Sequence, residues 1–222
     1  MMLNLFSIFD PQVLWISINW MSSLLIILLI PQIYWIYNSR ISYMFMLFMY
    51  MLWLEFKIIL KVKFNLNNLI YLNLLFFFIL INNFMGLFPY IFTSSSHLIY
   101  SVIFSLSMWF GFMLFGWVKN TNFMLIHLVP QGTPFLLMFF MVLIELLSGI
   151  IRPLTLSVRL AANMIAGHLL LVLLSSFVPS SFMMYLMVLF IQMLLLLLEI
   201  GVSIIQSYVF VILMILYLKE TN

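Results

Sequence analysis

The sequence has no cysteine and very little charge. Without cysteine there is no disulfide framework, no thiol nucleophile and no thiolate metal ligand. Of 222 residues, five are acidic and eight are basic, 6% in all; ordinary soluble domains carry about a quarter. Hydrophobic residues make up 67% of the chain, and the mean hydropathy is +1.30. A soluble fold of this length cannot hide so much apolar surface. The eight basic residues are scattered among apolar runs and form no basic face, so the pI of 9.2 does not indicate a nucleic-acid partner. Three histidines, His97, His127 and His168, are too few and too badly spaced for the paired ligands of a haem cytochrome. The opening stretch "MMLNLFSIFDPQ" lacks the basic start of a secretory signal and the Arg-rich pattern of a transit peptide.

What is present is apolar length. The chain is expected to be an all-α, polytopic membrane protein forming one membrane domain over 1–222. Its bias towards Phe, Ile, Leu, Met, Asn and Tyr, with 24 Phe and 19 Met, suits an AT-rich gene such as one in an animal mitochondrial genome. A bilayer core needs about 20 apolar residues in a helix. A first span is expected at 13–37, with Trp15 and Trp20 towards one end and Tyr34, Trp35 and Tyr37 at the other, as interfacial anchors. Segment 41–63 has an uncharged run too short to cross, followed by Glu55, Lys57, Lys61 and Lys63, and reads as a helix lying in the membrane surface. Residues 64–118 carry no charge and are broken by "NNFMGLFPYIFTSSS", which places spans at 67–88 and 97–117. Thr133 and Pro134 suit the start of another helix. Two long apolar elements follow, 134–177 and 181–218, separated by the turn "VPSS" at 178–181. Each exceeds one perpendicular crossing, so each is either broken or strongly tilted, and Pro153 should kink the first near Gly149. With five crossings, Arg40, Lys57, Lys61, Lys63, Lys119 and Lys219 share one side, which puts the N-terminus outside and the C-terminus inside.

The few ionisable residues within the apolar runs carry the functional signal, because each is costly in lipid. Arg159 is followed by 39 residues, 160–198, without Asp, Glu, Lys or Arg. Glu145, Arg152 and Arg159 are seven apart, a spacing that returns a helix to nearly the same face. On Arg159's face lie Thr155, Ala162, Asn163 and Ala166, all small or polar, which suits close approach of a partner helix. His168 points to the opposite face, with Ser157, Ala161 and Met164. In the last helix, Gln192, Glu199 and Gln206 are again seven apart, with Ser203 between. If the two helices pair antiparallel around 178–181, Arg159 lies near the level of Gln206 or just beyond it, and His168 approaches Glu199. A static reading stands beside the functional one. In it Arg159 pairs with Glu145 or Glu199, a hydroxyl or carbonyl satisfies His168, and the glutamines hold helices together. Two aligned stripes of ionisable residues exceed what packing needs and read as a proton path.

Four stretches carry a resemblance: "FPYIFTSSSHL" (88–98), "LIELLSGIIRPLTLSVR" (143–159), "LSVRLAANMIAGHLL" (156–170) and "LEIGVSIIQSYVF" (198–210). From about residue 70 onwards the chain resembles the a-subunit family of rotary F-type ATP synthases, and the pairing of His168 with Glu199 resembles the mitochondrial branch. The resemblance implies a non-catalytic, proton-translocating stator subunit of the mitochondrial inner membrane, with its N-terminus in the intermembrane space and its C-terminus in the matrix. It implies as partners the c-ring, peripheral-stalk and other membrane-sector subunits, with no cofactor and no bound nucleotide. Arg159 matches the family's essential arginine facing the ring carboxylate, and Asn163 and Gln206 match polar positions beside it. His168, Glu199 and, on the same stripe, Ser203 fall to the half-channel open to the intermembrane space, and Glu145 to the half-channel towards the matrix. The two long helices are implied to form a steeply tilted hairpin against the ring. Two other membrane readings fit less well. An antiporter-like proton-pumping subunit of respiratory complex I would want a mid-span lysine, and a purely structural subunit would not need the stripes.

Overall fold

The structure is a computed structural model that describes residues 5–12, 16–31, 37, 39–60, 66–88, 90–129, 134, 137–176 and 181–221. These residues are helical apart from short connections, giving an all-α chain. Seven α-helices occur among them: α1 (Leu25–Leu29), α2 (Arg40–Leu60), α3 (Leu66–Gly86), α4 (Leu98–Lys119), α5 (Thr121–His127), α6 (Met138–Ser176) and α7 (Phe182–Glu220). Five of them, α2, α3, α4, α6 and α7, are long and apolar enough to cross a membrane.

Helices α3, α4, α6 and α7 fall where the apolar runs of the sequence lie, within a few residues at each end. The first 60 residues differ from the sequence reading. In the segment expected as a span at 13–37, the described residues form a 3-10 helix, Ile18–Leu24, running into α1, twelve helical residues in all. Trp15, Tyr34 and Trp35 lie outside the described residues. Helix α2 is continuous over 21 residues, and buried Leu52, Phe56 and Leu60 stand on one side of it. That side packs against α3 and α7. Lys57 stays exposed, its ammonium 4.8 Å from the centre of the Trp53 ring; Lys61 and Lys63 lie outside the described residues. The short α5 was not expected. Thr133 and most of the 178–181 turn also lie outside the described residues.

Helices α6 and α7 are each 39 residues long and unbroken, and α6 runs through Pro153. At 1.5 Å per residue each is about 58 Å long, roughly twice the apolar thickness of a bilayer. Only a steep tilt keeps such a helix near the membrane. The core gathers at the C-terminal half of α7, where Phe210, Val211, Met214, Ile215 and Leu218 are wholly buried against α2 and α3. The N-terminal half of α7 is largely exposed from Phe182 to Leu198, an apolar surface for lipid or another chain.

Helix association in lipid depends on close packing and not on hydrophobic burial. Small residues four apart supply it here: Ser101 and Ser105 on α4, Ser157 and Ala161 on α6, Ser203 and Ser207 on α7, all buried. Each of these serine hydroxyls donates to the carbonyl three residues back on its own helix, at 2.8–3.3 Å. A hydroxyl satisfied in this way can be buried without a partner on the facing helix. The N-terminal segment docks on the loop before α4. Ser22 donates to the Phe92 carbonyl at 3.0 Å, His97 Nε2 donates to the Phe9 carbonyl at 2.9 Å, and Trp20 packs on the rings of Phe92 and His97.

Candidate functional site

The antiparallel pairing of α6 and α7 brings the two polar stripes together. Asn163 Nδ2 donates to Gln206 Oε1 at 3.3 Å. Towards one end of the seam, Arg152 reaches Glu220; towards the other, the Glu199 carboxyl lies against Gly167. Arg159 therefore sits about one turn beyond the Asn163–Gln206 contact, the level that the sequence pairing expects.

The face of α6 that carries Ser157, Ala161 and Met164 is buried. Arg159, Ala162, Asn163 and Ala166 are exposed. Arg159 forms no ion pair or hydrogen bond among the described residues, so neither Glu145 nor Glu199 neutralises it. A guanidinium keeps its charge at all accessible pH, and this one is presented outwards from the middle of a long apolar helix.

Two cavities flank it along α6. One, of about 260 Å³, lies between α6 and α7 and is lined by Leu87, Asn163, Gly167, Leu170, Leu195 and Glu199 among others. Glu199 is buried, and neither carboxyl oxygen has a hydrogen-bond partner among the described residues. A bare glycine at 167 makes room for it: a Cβ there would overlap Glu199 Oε1 and stand 2.7 Å from Cδ. His168 is half-buried and does not bond to Glu199. Its Nε2 donates to the Gly86 carbonyl at 2.7 Å, and its ring meets Phe9 edge to face at 6.2 Å. Ser203 is buried and bonds to its own helix, while Gln206 keeps its Nε2 buried without a partner among the described residues. Unsatisfied buried polar atoms are costly. Glu199 and Gln206 supply three of them along this seam.

The second cavity, of about 320 Å³, is lined by Glu145, Arg152, Glu220, His127, Trp109 and Tyr217 among others. Arg152 Nη2 lies 3.9 Å from Glu145 Oε1, and its Nη1 lies 3.3 Å from both Glu220 oxygens. All three side chains are about half exposed. Sequence reasoning did not single out Glu220, Gly167 or the Gly86 carbonyl. The antiparallel register that sets Arg159 near Gln206 also sets the end of α7 opposite Arg152, and could have found Glu220. Asn83 is a further omission: it is buried on α3, and neither of its amide atoms has a partner among the described residues. Among the described residues no cluster of His, Asp or Glu is arranged to hold a metal ion.

Fold and site together define an all-α polytopic membrane protein with ionisable groups aligned along the seam of a long helical hairpin. The ATP synthase A chain family matches residues 16–219. ATP synthase subunit a of Drosophila melanogaster is 52% identical over the full length of both chains. That of Locusta migratoria is 54% identical over 99% of each chain, and that of Aedes aegypti 48% over the full length of both. The chain belongs to the ATP synthase A chain family.

Proposed function

We infer that this chain is the proton-conducting stator subunit of the membrane sector of an ATP synthase. Two separate wet approaches lead to and from a carboxylic acid on a neighbouring rotating ring, and Arg159 faces that acid. The observation that carries the reading is the position of Arg159: exposed, unpaired within the described chain, and flanked along α6 by two cavities that each hold a glutamate.

The mechanism follows from the cost of charge in lipid. A ring carboxylic acid can face acyl chains only when neutral. Opposite Arg159 it can ionise, because an ion pair at about 4 Å gains on the order of 4 kcal/mol at an effective dielectric near 20. The fixed guanidinium also repels a proton passing straight from one cavity to the other. A proton arriving through the Glu199 cavity neutralises the next ring acid, which then moves into lipid, while a proton released on the far side of Arg159 leaves through the Glu145 cavity. Each crossing is driven by roughly 2.3 kcal/mol per 100 mV. Rotation follows because the only uncharged route between the two cavities is round the ring. Asn163 and Gln206 line the ground between Arg159 and Glu199, and His168, held by the Gly86 carbonyl, stands beside Glu199's seat at Gly167.

The partners are the ring of acidic hairpins, the peripheral stalk and the remaining membrane-sector subunits. The chain performs no chemistry on nucleotide itself. We assign it to the mitochondrial inner membrane, with its N-terminus in the intermembrane space and its C-terminus in the matrix. The distribution of Arg40, Lys57, Lys119 and Lys219 supports that orientation. The charge distribution favours segment 41–63 at the membrane surface with the first crossing at 13–37, although α2 is itself long and apolar enough to cross. The direct test is Arg159→Ala in the assembled complex. Proton-driven ATP synthesis in vesicles should vanish while the complex stays assembled, and persistent coupled synthesis would overturn the reading.

A further inference from the structure

The second cavity holds one cation and two carboxylates whose distances are unequal. Arg152 Nη1 lies 3.3 Å from both oxygens of Glu220, whereas Nη2 stands 3.9 Å from Glu145 Oε1, beyond hydrogen-bond length. A guanidinium has five N–H donors in a fixed fork and can hold two carboxylates together. Here it is spent mainly on Glu220.

Glu220 does not reach this place as a loose terminus. The next residue, Thr221, is buried in the corner between α4 and α5. Its Oγ1 donates to the Leu218 carbonyl at 3.0 Å, and its N–H donates to the Tyr217 carbonyl at 3.2 Å. A Cβ placed on Gly116 would stand 3.1 Å from Thr221 Cβ and 3.2 Å from Met124 Sδ, so the end of α7 is closely seated there. That seat fixes Glu220 at the cavity wall, and the cavity leaves the guanidinium room to move.

We propose that Arg152 is a positioning residue of this cavity, a cation that Glu220 holds off Glu145 so that the Glu145 carboxylate keeps a free oxygen for the passing proton. The inference rests on the reading above that Glu145 lies on a proton path. Without Glu220, the carboxylate left lining the cavity is Glu145. Arg152 then closes on it as a bidentate, charge-assisted pair. The oxygens of Glu145 are occupied by donors, and the proton has no open site on it.

A double-variant series tests this in membrane vesicles that hold the assembled membrane sector with the catalytic head removed. Passive proton conductance is read under an imposed potassium diffusion potential. Glu220→Gln should conduct about three- to tenfold less than the parent, the size expected when one partly exposed ion pair is replaced by a tighter one. Arg152→Gln combined with Glu220→Gln should return conductance to within about twofold of the parent, because nothing is left to close on Glu145. A tie that merely held α7 to α6 would give no such rescue. Equal slowing in the single and the double variant, unchanged conductance in Glu220→Gln, or failure of the double variant alone to assemble would each overturn the proposal. If Glu220→Gln itself does not assemble, Glu220→Asp takes its place, keeping the charge with a shorter reach, and the same ordering of single and double variants decides. Parent vesicles that conduct no more than vesicles lacking this chain would overturn the broader proton-path reading instead, so the two failures are distinguishable.

Discussion

Substituting Gly167 by alanine tests whether the seat of Glu199 matters to proton flow or only to packing. The added methyl would overlap Glu199 Oε1 and stand 2.7 Å from Cδ and 3.1 Å from Cγ. Ordinary contact begins near 3.4 Å, so Cδ must retreat by most of an ångström and Oε1 by more than one. It has somewhere to go, because the cavity of about 260 Å³ lies beside it. The stability terms therefore nearly cancel: alanine gains about 1 kcal/mol over glycine inside a helix, and local overpacking costs about 1–3 kcal/mol. Function should not be spared, since a misplacement near 1 Å can cost up to about 100-fold in a positioned transfer. The expected result is a complex that assembles and melts within a few degrees of the parent, yet conducts protons at least about tenfold more slowly. Passive conductance and ATP-driven acidification in vesicles, with a thermal melt of the same preparation, give both readouts. Gly111→Ala is the control, because a Cβ there meets nothing within 4 Å. Parental conductance in Gly167→Ala, with the methyl in place, would show that the position of the Glu199 carboxyl is irrelevant and would refute the reasoning.

Two further outcomes bear on the seam. Arg159→Lys keeps a charge but loses the planar fork, and an ammonium can shed its proton in an apolar setting; it should abolish ATP-driven pumping as Arg159→Ala does, and normal pumping would show that any cation serves. Glu199→Gln keeps the shape of a side chain that bonds to nothing else among the described residues but cannot carry a proton; conductance should fall by about 10²-fold or more, the usual contribution of a positioned acid–base group, and unchanged flux in vesicles would remove Glu199 from the path.

How much of this was legible depended on which force sets each feature. Helices α3, α4, α6 and α7 could be read because lipid permits only apolar length between polar breaks, and the breaks at 87–97 and 178–181 are rich in turn residues. The first 60 residues carry weaker signals. Helix α2 has Glu55 and Lys57 inside it, so composition reads it as interfacial, while Leu52, Phe56 and Leu60 dock it on α3 and α7. That docking is tertiary and leaves no mark in a hydropathy window. The unbroken path of α6 through Pro153 is of the same kind, since membrane helices tolerate a proline that a soluble helix would not.

The seven-residue stripes were legible because helical periodicity is local, and the register of α6 on α7 followed from one turn. What periodicity could not give was contact. It brought His168 near Glu199, but the imidazole turns to the Gly86 carbonyl on α3, 82 residues away in sequence. Nor did it give Arg152 its partners, Glu145 and Glu220, both of which lie within the chain. The same bookkeeping separates the two arginines of α6. Arg152 finds its counter-charges at home, at the edge of a cavity. Arg159, one stripe position on, finds none among the described residues and faces outwards beside small side chains. A chain that spends only eight basic residues does not leave one bare in lipid, where the cost is roughly 2.5–3.5 kcal/mol even on the lenient insertion scale. On the proposed reading the counter-charge for Arg159 comes from outside the described residues, and a partner that moves can supply it once for every acid that passes.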